Sequence, residues 1–298
     1  MSSLPDVLRA PTPDDAEAIA ALFATRRSTD AREVRSWFAN PRFDVANDFR
    51  VAERTGRIVG YADIQLEADR VSIDWTANDS DAGNALLDWT ETRARDAGID
   101  RLVAHEWPNS EGVGVMLRAR GFTPFRASLE MQVPLDDATP EPDWPVGVEV
   151  RTVRNGEEPR VHALLEEAFA DVHDFRPTPF EEWASWWEGR KRLDLWFAAE
   201  AGGELAGLAL CDEERAGAPG LGWVESLAVG REWRRRGLGR ALLLHAFRAL
   251  AVHGRTAAGL SVQADNPTGA VQLYEAVGMH AVGRRTIYEK RLSGASAL

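Results

Sequence analysis

The chain has 298 residues, of which 44% are hydrophobic, and this is enough apolar material for the cores of two ordinary domains. Its formal net charge of −12 argues against nucleic acid as a partner, because nucleic-acid-binding proteins normally present a basic surface. The single cysteine, Cys211, excludes an internal disulfide and argues against a cysteine-based metal site. Because it lies in an apolar run, we expect a buried structural thiol.

No segment has the pattern of a targeting signal or a membrane span. The first residues, MSSLPDVLRAPTPDD, lack the basic and then apolar segments of a signal peptide. No apolar run approaches the ~20 residues that cross a bilayer. We therefore expect a soluble, cytoplasmic protein with no membrane partner.

The first half of the chain predicts alternating strands and helices. A short strand at Leu8-Arg9 precedes an amphipathic helix, Asp14 to Phe23. VAERTGRIVGYADI, from Val51, predicts two strands around a glycine-containing turn. GNALLDWTETRARDAG, from Gly83, predicts a helix that ends at a glycine suited to the C′ position, and NSEGVGVMLRARGF, from Asn109, completes this half.

The segment 136–146, DDATPEPDWPV, predicts an extended linker. It contains three prolines and four acids in eleven residues, a composition that suits neither a helix nor a strand. Because it lies near the midpoint, it divides the chain into two halves of similar length. We therefore predict domains over 1–135 and 147–292, with a tail over 293–298.

The second half repeats the order of the first. Val150-Arg151 precedes a predicted helix, Pro159 to Phe169, as Leu8-Arg9 does in the first half. Three further segments match in sequence: AAEAGGELAGLAL from Ala198, GRALLLHAFRALAVHG from Gly239 and NPTGAVQLYEAVGM from Asn266. Each half therefore predicts a mixed α/β unit of order β-α-(α)-β-β-β-α-β-α-β.

Residues 224–240, VESLAVGREWRRRGLGR, predict a site for a phosphate-bearing ligand. An apolar strand leads into a basic, glycine-containing turn and then into an apolar helix. Gly237 and Gly239 let the backbone turn tightly. The first turn of a helix offers unpaired N–H groups and a positive dipole end, which bind phosphate oxygens. The turn and helix start also carry four basic side chains: Arg234, Arg235, Arg236 and Arg240.

In element order and motif the chain resembles the GCN5-related N-acetyltransferase (GNAT) superfamily in tandem, an α/β (α+β mixed sheet) fold of acyl-CoA acyltransferase domains. The signature [Q/R]-x-x-G-x-[G/A] stands here as Arg234-x-x-Gly237-x-Gly239, with LYEAVGM in register downstream. The tandem layout and FRPTPFEEW, from Phe175, resemble the mycothiol synthase-like branch. Members of that branch acetylate a cysteinyl amine on an amino-sugar conjugate.

The resemblance implies acetyl-CoA as co-substrate and no metal. Backbone amides of residues 235–240 would wrap its pyrophosphate, and Leu227 and Val229 would hydrogen-bond its pantetheine arm as an added strand. Asn266 would contact the same arm. The alternatives are a solvated or ion-paired basic helix start, and a plain helix cap at Asn266. The implied cofactor residues are Leu227, Ala228, Val229, Arg234, Arg235, Arg236, Gly237, Leu238, Gly239, Arg240 and Asn266.

Two residues are candidates for acid–base chemistry. Tyr274 matches the residue that protonates the departing CoA thiolate in the family; otherwise it is a core tyrosine. Glu225 is the candidate base that deprotonates the acceptor amine, because we expect a charged residue in an apolar strand to be buried. Trp223 stands where the family's usual glutamate lies, which leaves an ion-paired structural role open for Glu225.

The segment 175–187, FRPTPFEEWASWW, is the candidate acceptor site, because aromatic faces beside carboxylates suit an amine. We assign Phe175, Phe180, Glu182 and Trp183 to substrate binding, with His173 and Asp174 as further polar contacts. Alternatively, Trp183 and Trp187 form the apolar stripe of a helix. The six histidines show no metal-binding spacing.

The first half lacks the features of the second-half site. When Gly83 is aligned with Gly239, Asp79 and Asp81 occupy the positions of the basic turn, and carboxylates repel a pyrophosphate. When Gly121 is aligned with Gly278, Leu117 replaces Tyr274. We infer that the first half does not bind acetyl-CoA in the usual way.

These observations predict an acetyl-CoA-dependent N-acetyltransferase with its active site in the C-terminal domain. A primary amine of a small molecule would attack the thioester directly. The alternatives are a non-catalytic acyl-CoA sensor, acetylation of a protein amine, or another phosphate-ligand enzyme. The sequence offers no motif for the last alternative, because it contains neither G-x-x-x-x-G-K-[ST] nor a strand followed by G-x-G-x-x-G. The sequence makes no prediction about oligomeric state.

Overall fold

The computed structural model describes residues 4–24, 29–40, 43–108, 110, 112–136, 139–172, 175–188, 191–215 and 217–293. The chain forms two compact units, Met1–Ser128 with Arg284–Leu298 and Leu129–Gly283. Each is a mixed α/β unit, so the predicted fold class is confirmed. Among the described residues, no helix combines the length and the apolar character needed to cross a bilayer.

The first unit is a six-stranded sheet with helices on both faces. Its strands lie in the order β1-β2-β3-β4-β5-β12. Its elements are β1 (Val7–Arg9), α1 (Ala16–Phe23), α2 (Ala31–Ala39), α3 (Val45–Asp48), β2 (Phe49–Arg54), β3 (Arg57–Leu66), β4 (Val71–Ala77), α4 (Ser80–Asp96), β5 (Arg101–Glu106), α5 (Val113–Ala119), the start of β6 (Thr123–Pro134) and the end of β12 (His280–Arg291).

Successive residues of its central strands point to opposite faces, as the two-residue period of a strand requires. Val51 and Tyr61 pack against α1 and α2, while Ala52 and Ala62 belong to the core beneath α4 and α5. The sheet of this unit therefore separates two apolar cores.

The second unit has the same architecture. Its strands lie in the order β6-β11-β10-β9-β8-β7, and the part of β6 in this unit begins at Leu129. Its further elements are β7 (Val148–Thr152), α6 (Glu158–Phe169), α7 (Phe180–Ser185), β8 (Trp196–Ala201), β9 (Glu204–Asp212), β10 (Leu221–Val229), α8 (Leu238–Val252), β11 (Ala257–Gln263) and α9 (Ala270–Ala276).

The sheet of the second unit also separates two cores. Phe197 and Ala199 of β8 face the core that includes α8, whereas Trp196 and Ala198 face the core beneath α6 and α7. Cys211 has no exposed surface, and burial raises the pKa of its thiol, so the predicted structural thiol is confirmed.

The compact units and the predicted domains differ in two strands. Residues 284–291 of β12 pair antiparallel with β5, with registers from Thr286 opposite Glu106 to Arg291 opposite Arg101, and so belong to the first unit. Conversely, Leu129–Pro134 of β6 belong to the second unit. A strand pattern in the sequence specifies that a strand forms but not which strand it pairs with, which accounts for the difference.

The predicted linker contains no helix or strand in its described residues, 136 and 139–146. It is nevertheless held on α8, because Arg248 donates a hydrogen bond to the carbonyl oxygen of Thr139 (3.1 Å) and pairs with Glu141 (2.6 Å). The ring of Trp144 lies 5.7 Å from that of His245. This segment therefore packs on the second unit.

Candidate active site

Strands β10 and β11 run side by side only at their beginnings. Their parallel pairing covers Leu221–Trp223 against Ala257–Gly259, whereas β10 continues along β9 to Val229. The register against β9 shifts between Val224 and Ser226, so Glu225 occupies a β-bulge. Beyond Trp223, one edge of β10 has no strand partner, in a stretch that the structure describes completely.

Helix α8 begins opposite this open edge without a side-chain cap. Gly237 is its N-cap residue, with φ of 85°, and no side chain accepts a hydrogen bond from the first turn. The first helical hydrogen bond runs from Ala241 N–H to Gly237 O. The N–H groups of Leu238, Gly239 and Arg240 therefore have no partner within the helix, and they carry its positive dipole end.

Gly239 is needed for a different reason from Gly237. A Cβ atom there would lie 3.1 Å from Cδ2 of Leu273 in α9 and 3.5 Å from Cγ2 of Val229 in β10. The first distance is shorter than an ordinary van der Waals contact. The absence of a side chain at Gly239 therefore lets α8, α9 and the end of β10 approach one another.

A cavity of about 490 Å³ lies between these elements. It is bounded by the end of α6, the end of β10, the start of α8 and residues 266–274. The structure brings to this cavity ten residues that the sequence singled out: Leu227, Val229, Arg234, Arg235, Gly237, Leu238, Gly239, Arg240, Asn266 and Tyr274. Ala228 is buried in the core beneath α6 instead.

The four arginines have different surroundings. Arg235, with φ of 62°, and Arg240 line the cavity. Arg234 also lines it, but its guanidinium donates to the carbonyl oxygens of Val229 (3.2 Å) and Ala168 (3.0 Å) and to Asp171 Oδ2 (2.7 Å). Arg236 lies over the ring of Trp233 (5.0 Å) and is not part of the cavity wall.

Arg234 therefore ties the end of α6 to the end of β10. Its hydrogen bond to Asp171, with a second from Arg231, holds the pKa of that carboxyl below its ordinary value. The ion-paired alternative thus describes Arg234 in this structure, while Arg235 and Arg240 remain the cationic side chains at the cavity.

Asn266 shapes a turn and does not cap a helix. Its Oδ1 accepts hydrogen bonds from the N–H (2.9 Å) and Oγ1 (2.5 Å) of Thr268, and the N-cap of α9 is Gly269. This Asx-type turn carries the chain from β11 into α9 along the cavity wall.

Tyr274 is the one phenol at the cavity among the described residues, and it is 8% exposed. Burial raises the pKa of its hydroxyl to about 12. The hydroxyl therefore stays protonated across the neutral range and is available as a hydrogen-bond donor.

Glu225 does not have the environment that we expected. It is exposed at the bulge of β10, so the expectation of a buried carboxylate is wrong, and it is not part of the cavity wall. Among the described residues that line the cavity, none carries a carboxylate or an imidazole. Trp223 is a core residue whose ring packs over Gly259 and stacks with Arg215 at 3.9 Å.

The residues assigned to the acceptor lie elsewhere in the unit. Trp183 is 7% exposed and packs with Trp187 around Trp196, in agreement with the alternative of a helical apolar stripe. Phe180 and Trp183 line a second cavity of about 720 Å³ that shares no wall residue with the first. Phe175 and Glu182 line neither cavity, and His173 and Asp174 lie outside the described residues.

Other residues complete the wall of the first cavity. Phe169, the last residue of α6, and Val172 belong to it, together with Ala168, Trp233, Thr268, Gly269, Ala270, Gln272 and Leu273. The sequence did not single out any of these nine residues for a role at the site. Phe169 ends an apolar helix pattern, and such a pattern does not tell a core residue from a cavity residue.

The corresponding helix of the first unit is capped by its own carboxylate. Asp79 is the N-cap residue of α4, and its Oδ1 accepts hydrogen bonds from the N–H groups of Asp81 (3.1 Å) and Ala82 (2.9 Å). Arg54 pairs with the same carboxylate at 2.7 Å. Leu117, the counterpart of Tyr274, is fully buried in the core. The donors that would hold a phosphate are therefore already occupied.

Comparison with known proteins identifies a domain within the second unit. The model of the acetyltransferase (GNAT) family matches residues 159–279. A mycothiol acetyltransferase of Streptomyces bingchenggensis is 29% identical over 315 residues, covering 96% of this chain and 94% of the relative. Residues 159–279 are thus a GNAT domain, and the chain as a whole is similar to a mycothiol acetyltransferase. A mycothiol acetyltransferase of Acidothermus cellulolyticus is 32% identical over 216 residues, 66% of this chain and 64% of the relative.

Solved structures support the tandem arrangement of the GNAT fold. A GCN5-related N-acetyltransferase from Sphaerobacter thermophilus has a TM-score of 0.82 and 29% identity, and the match covers 99% of both chains. A tandem GNAT protein from the clavulanic acid biosynthesis pathway has a TM-score of 0.74 at 18% identity, covering 98% of this chain and 99% of that one, which shows the fold alone. These relationships favour an enzyme over the acyl-CoA sensor.

Proposed function

We propose that this GNAT protein transfers the acetyl group of acetyl-CoA to the primary amine of a small molecule, with its active site in the second unit. The observation that supports the proposal best is the 490 Å³ cavity, because one space combines the open edge of β10, the uncapped start of α8 and the Tyr274 hydroxyl. The described residues contain no group of three His, Cys, Asp or Glu side chains that could hold a metal ion.

The start of α8 suits the pyrophosphate of acetyl-CoA. Three N–H groups at a helix start, with the side chains of Arg235 and Arg240 beside them, form an anion site of the kind that binds phosphate. The open edge of β10 suits the amide-containing pantetheine arm, because an extended chain can pair with free strand N–H and C=O groups. Leu227 and Val229 lie on that edge at the cavity wall.

Tyr274 would assist departure of the CoA thiolate. Attack of an amine on the thioester carbonyl forms a tetrahedral oxyanion, and its collapse leaves negative charge on sulfur. A neutral phenol can donate a hydrogen bond to that sulfur as the charge develops. Because its pKa is about 12, the Tyr274 hydroxyl holds its proton throughout this step at neutral pH.

The acceptor amine must lose its proton before attack. Since Glu225 is exposed and outside the cavity wall, it would act through water molecules. A strong base is not needed for a cysteinyl α-amine, whose ordinary pKa of about 8 leaves roughly a tenth of it neutral at pH 7.

The relatives suggest the class of acceptor. Proteins of similar length that resemble this chain at 29–34% identity are named mycothiol acetyltransferases. We therefore infer that the acceptor is a small thiol conjugate with a free cysteinyl amine, as in the des-acetyl precursor of mycothiol.

The test is an acetyl-transfer assay with the full-length protein, acetyl-CoA and the des-acetyl precursor of mycothiol, followed by mass spectrometry of the product. We expect the addition of one acetyl group at the amine, and no reaction with mycothiol, whose amine is already acetylated. Binding of acetyl-CoA without acetylation of this acceptor or of a panel of other small amines would contradict the proposal.

Substitution of Tyr274 tests the proposed proton donor. For Tyr274→Phe we expect kcat to fall about 100-fold or more, with little change in KM for acetyl-CoA, because general-acid assistance acts on the transition state. In the wild type, kcat should not decline at pH 10, the ordinary pKa of a tyrosine, since burial raises the pKa of Tyr274 to about 12. An unchanged kcat in the variant would remove Tyr274 from the mechanism.

A further inference from the structure

The end of α6 meets the basic turn between β10 and α8 at the wall of the first cavity. Helix α6 packs on the face of β10 that carries Ala228. The turn, residues 230–237, follows directly from the end of β10. Ala168 and Phe169 line the cavity from the helix, and four residues of the turn line it as well. The contacts between the helix end and the turn therefore shape the wall of the proposed pyrophosphate site.

Two carboxylates near the end of α6 accept hydrogen bonds from this turn. Oε1 of Glu167 accepts one from the backbone N–H of Arg231 (3.2 Å). Asp171 accepts one from the guanidinium of Arg231 (3.0 Å) and one from that of Arg234 (2.7 Å). The turn is thus attached to the end of α6 at two places, Arg231 and Arg234.

Arg234 also contacts backbone carbonyl groups of both elements. Its guanidinium donates to the oxygens of Val229, at the end of β10, and of Ala168, in the last turn of α6. A cation suits the negative dipole end of a helix, whereas the carboxylate of Asp171, two residues beyond α6, does not. The two arginines offset this local disadvantage, so the position of Asp171 is explained by its contact with the turn.

The backbone of the turn is strained beside Arg234. Arg235 has φ of 62°, in the left-handed region that residues other than glycine adopt only where the surrounding structure holds them. Arg235 lines the cavity, and the direction of its side chain depends on this conformation. The hydrogen bonds of Arg231 and Arg234, which come directly before it in the chain, provide such a hold.

We propose that Asp171 is a positioning residue for acetyl-CoA. By holding Arg231 and Arg234, it keeps the turn in the conformation that presents the start of α8 and the Arg235 side chain to the pyrophosphate. The assignment rests on the proposed function, in which the pyrophosphate binds at the start of α8. An acid near an anion site ordinarily weakens binding by repulsion. Here loss of the acid should weaken binding instead, because the turn is no longer preorganised.

The test is calorimetric titration of the full-length protein with acetyl-CoA. We expect Asp171→Ala to weaken binding about fivefold, because two partly exposed ion pairs are lost. Glu232→Ala is the matched control, since Glu232 is exposed in the same turn and is not part of the cavity wall. It removes the same charge, and we expect affinity to stay the same or to rise slightly as repulsion is reduced.

Two further measurements separate positioning from a general loss of structure. In an Arg234→Gln background, Asp171→Ala should weaken binding by about twofold or less, because one of its two partners is already lost. In the acetyl-transfer assay, Asp171→Ala should raise KM for acetyl-CoA about fivefold and change kcat by less than about twofold. The reason is that the hydrogen bonds of Asp171 go to the turn and not to Tyr274.

Tighter binding by Asp171→Ala would overturn the proposal, because Asp171 would then be withholding the charge of Arg234 from the pyrophosphate. Equal effects of Asp171→Ala and Glu232→Ala, or an undiminished effect in the Arg234→Gln background, would do the same. These outcomes leave the proposed function in place, whereas wild-type protein that does not bind acetyl-CoA would overturn both. Thermal melting verifies that each variant is folded, and Asp171→Asn, which keeps the shape of the side chain, replaces the alanine variant if it is not.

Discussion

At the scale of single residues, the basic turn owes its properties to backbone conformation as much as to charge. Gly237 has a positive φ with open space around its Cα, whereas Gly239 has a neighbour within 3.1 Å of where a Cβ would lie. Arg234 is committed to holding the turn on α6 and β10. The proposed anion site is therefore built from N–H groups, with Arg235 and Arg240 as its accessible charges.

Gly237→Asp should weaken acetyl-CoA binding severely. A carboxylate at the N-cap would repel the pyrophosphate and would accept hydrogen bonds from the N–H groups of the first turn, as the Asp79 carboxylate does in α4. The measurement is calorimetric titration with acetyl-CoA. Gly237→Asn is the matched control, since asparagine has the same shape and tolerates a positive φ but carries no charge. We expect Asn to lose less affinity than Asp, because its amide can cap the first turn but does not repel the pyrophosphate; equal losses in both variants would mean that capping or backbone strain, and not charge, is responsible.

At the scale of secondary structure, the two units differ in how one equivalent helix begins. Helix α4 follows β4 in the first unit, and α8 follows β10 in the second. Two residues separate α4 from its strand and the helix has an aspartate cap, whereas α8 starts after a longer basic turn with no side-chain cap. The same helix start is used for stability in one unit and is open to a ligand in the other.

Asp79→Ala should lower the stability of the first unit by about 1 kcal/mol, the usual cost of losing a helix cap. The measurement is urea unfolding followed by circular dichroism. Asp81→Ala is the control. It removes the same charge from the first turn of α4 but leaves the cap, which the Asp79 side chain makes. Equal effects of the two variants would show that charge near the helix start matters more than the cap.

Both units also repeat an ion cluster, which joins β1 to α1 and β2 in the first unit and β7 to α6 and β8 in the second. Arg151 donates hydrogen bonds to Glu157 and Glu200 at 2.5–2.9 Å, and Arg9 binds Asp15 and Glu53 in the same way at 2.8–2.9 Å. The hydrogen bonds from Arg151 lower the pKa of Glu157 to about 2.

A carboxyl with a lowered pKa stabilises the folded state above its unfolded pKa of 4.5, and this contribution is lost as the pH falls towards 2. Glu157→Gln should therefore lower the melting temperature at pH 7, and the difference from wild type should shrink below pH 4.5 and vanish near pH 2. Glu204→Gln is the control, because the Glu204 side chain is 91% exposed, and it should change the melting temperature little at any pH. A pH-independent difference would mean that Glu157 acts through packing and not through charge.

At the scale of the whole molecule, each compact unit is completed by a segment from the other half of the chain. The described end of β12 supplies the first unit with Tyr288, which is 2% exposed and donates a hydrogen bond to Glu106 (2.8 Å). Lys290 pairs with Glu91 of α4 at 2.7 Å. The end of the last strand is therefore part of the first unit's core, although it follows the wall residues of the first cavity in sequence.

Tyr288→Ala should destabilise the first unit by about 3 kcal/mol, because a large buried aromatic side chain is lost. Hydrogen exchange monitored by mass spectrometry should then become faster in β5, its strand partner. Val282→Ala in the same strand is the control, since Val282 is 47% exposed. If exchange accelerates only within residues 129–283, the assignment of β12 to the first unit is wrong.

The parts of the site that depend on local conformation could be predicted from the sequence. The motif Arg234-x-x-Gly237-x-Gly239 specifies a turn and a helix start, and the structure has Gly237 as the N-cap of α8. The buried Cys211 and the helices over 158–169 and 238–252 were predictable for the same reason, because apolar periodicity and capping residues act over a few positions.

Other features depend on which strands and helices pack against each other. Only the tertiary structure decided these features. The apolar pattern of β10 suggested that the Glu225 carboxylate is buried, but the β-bulge leaves it exposed. The bulge arises from the pairing of β10 with β9, which the pattern of one strand does not specify. The core beneath α7 buries Trp183, which the sequence alone equally allowed to face a ligand. The pairing of β12 with β5 joins residues nearly two hundred positions apart, and no local signal specifies such a partner. By itself, the sequence determined the resemblance to the GNAT superfamily and the position of the glycine-containing basic turn, because both depend on residues a few positions apart.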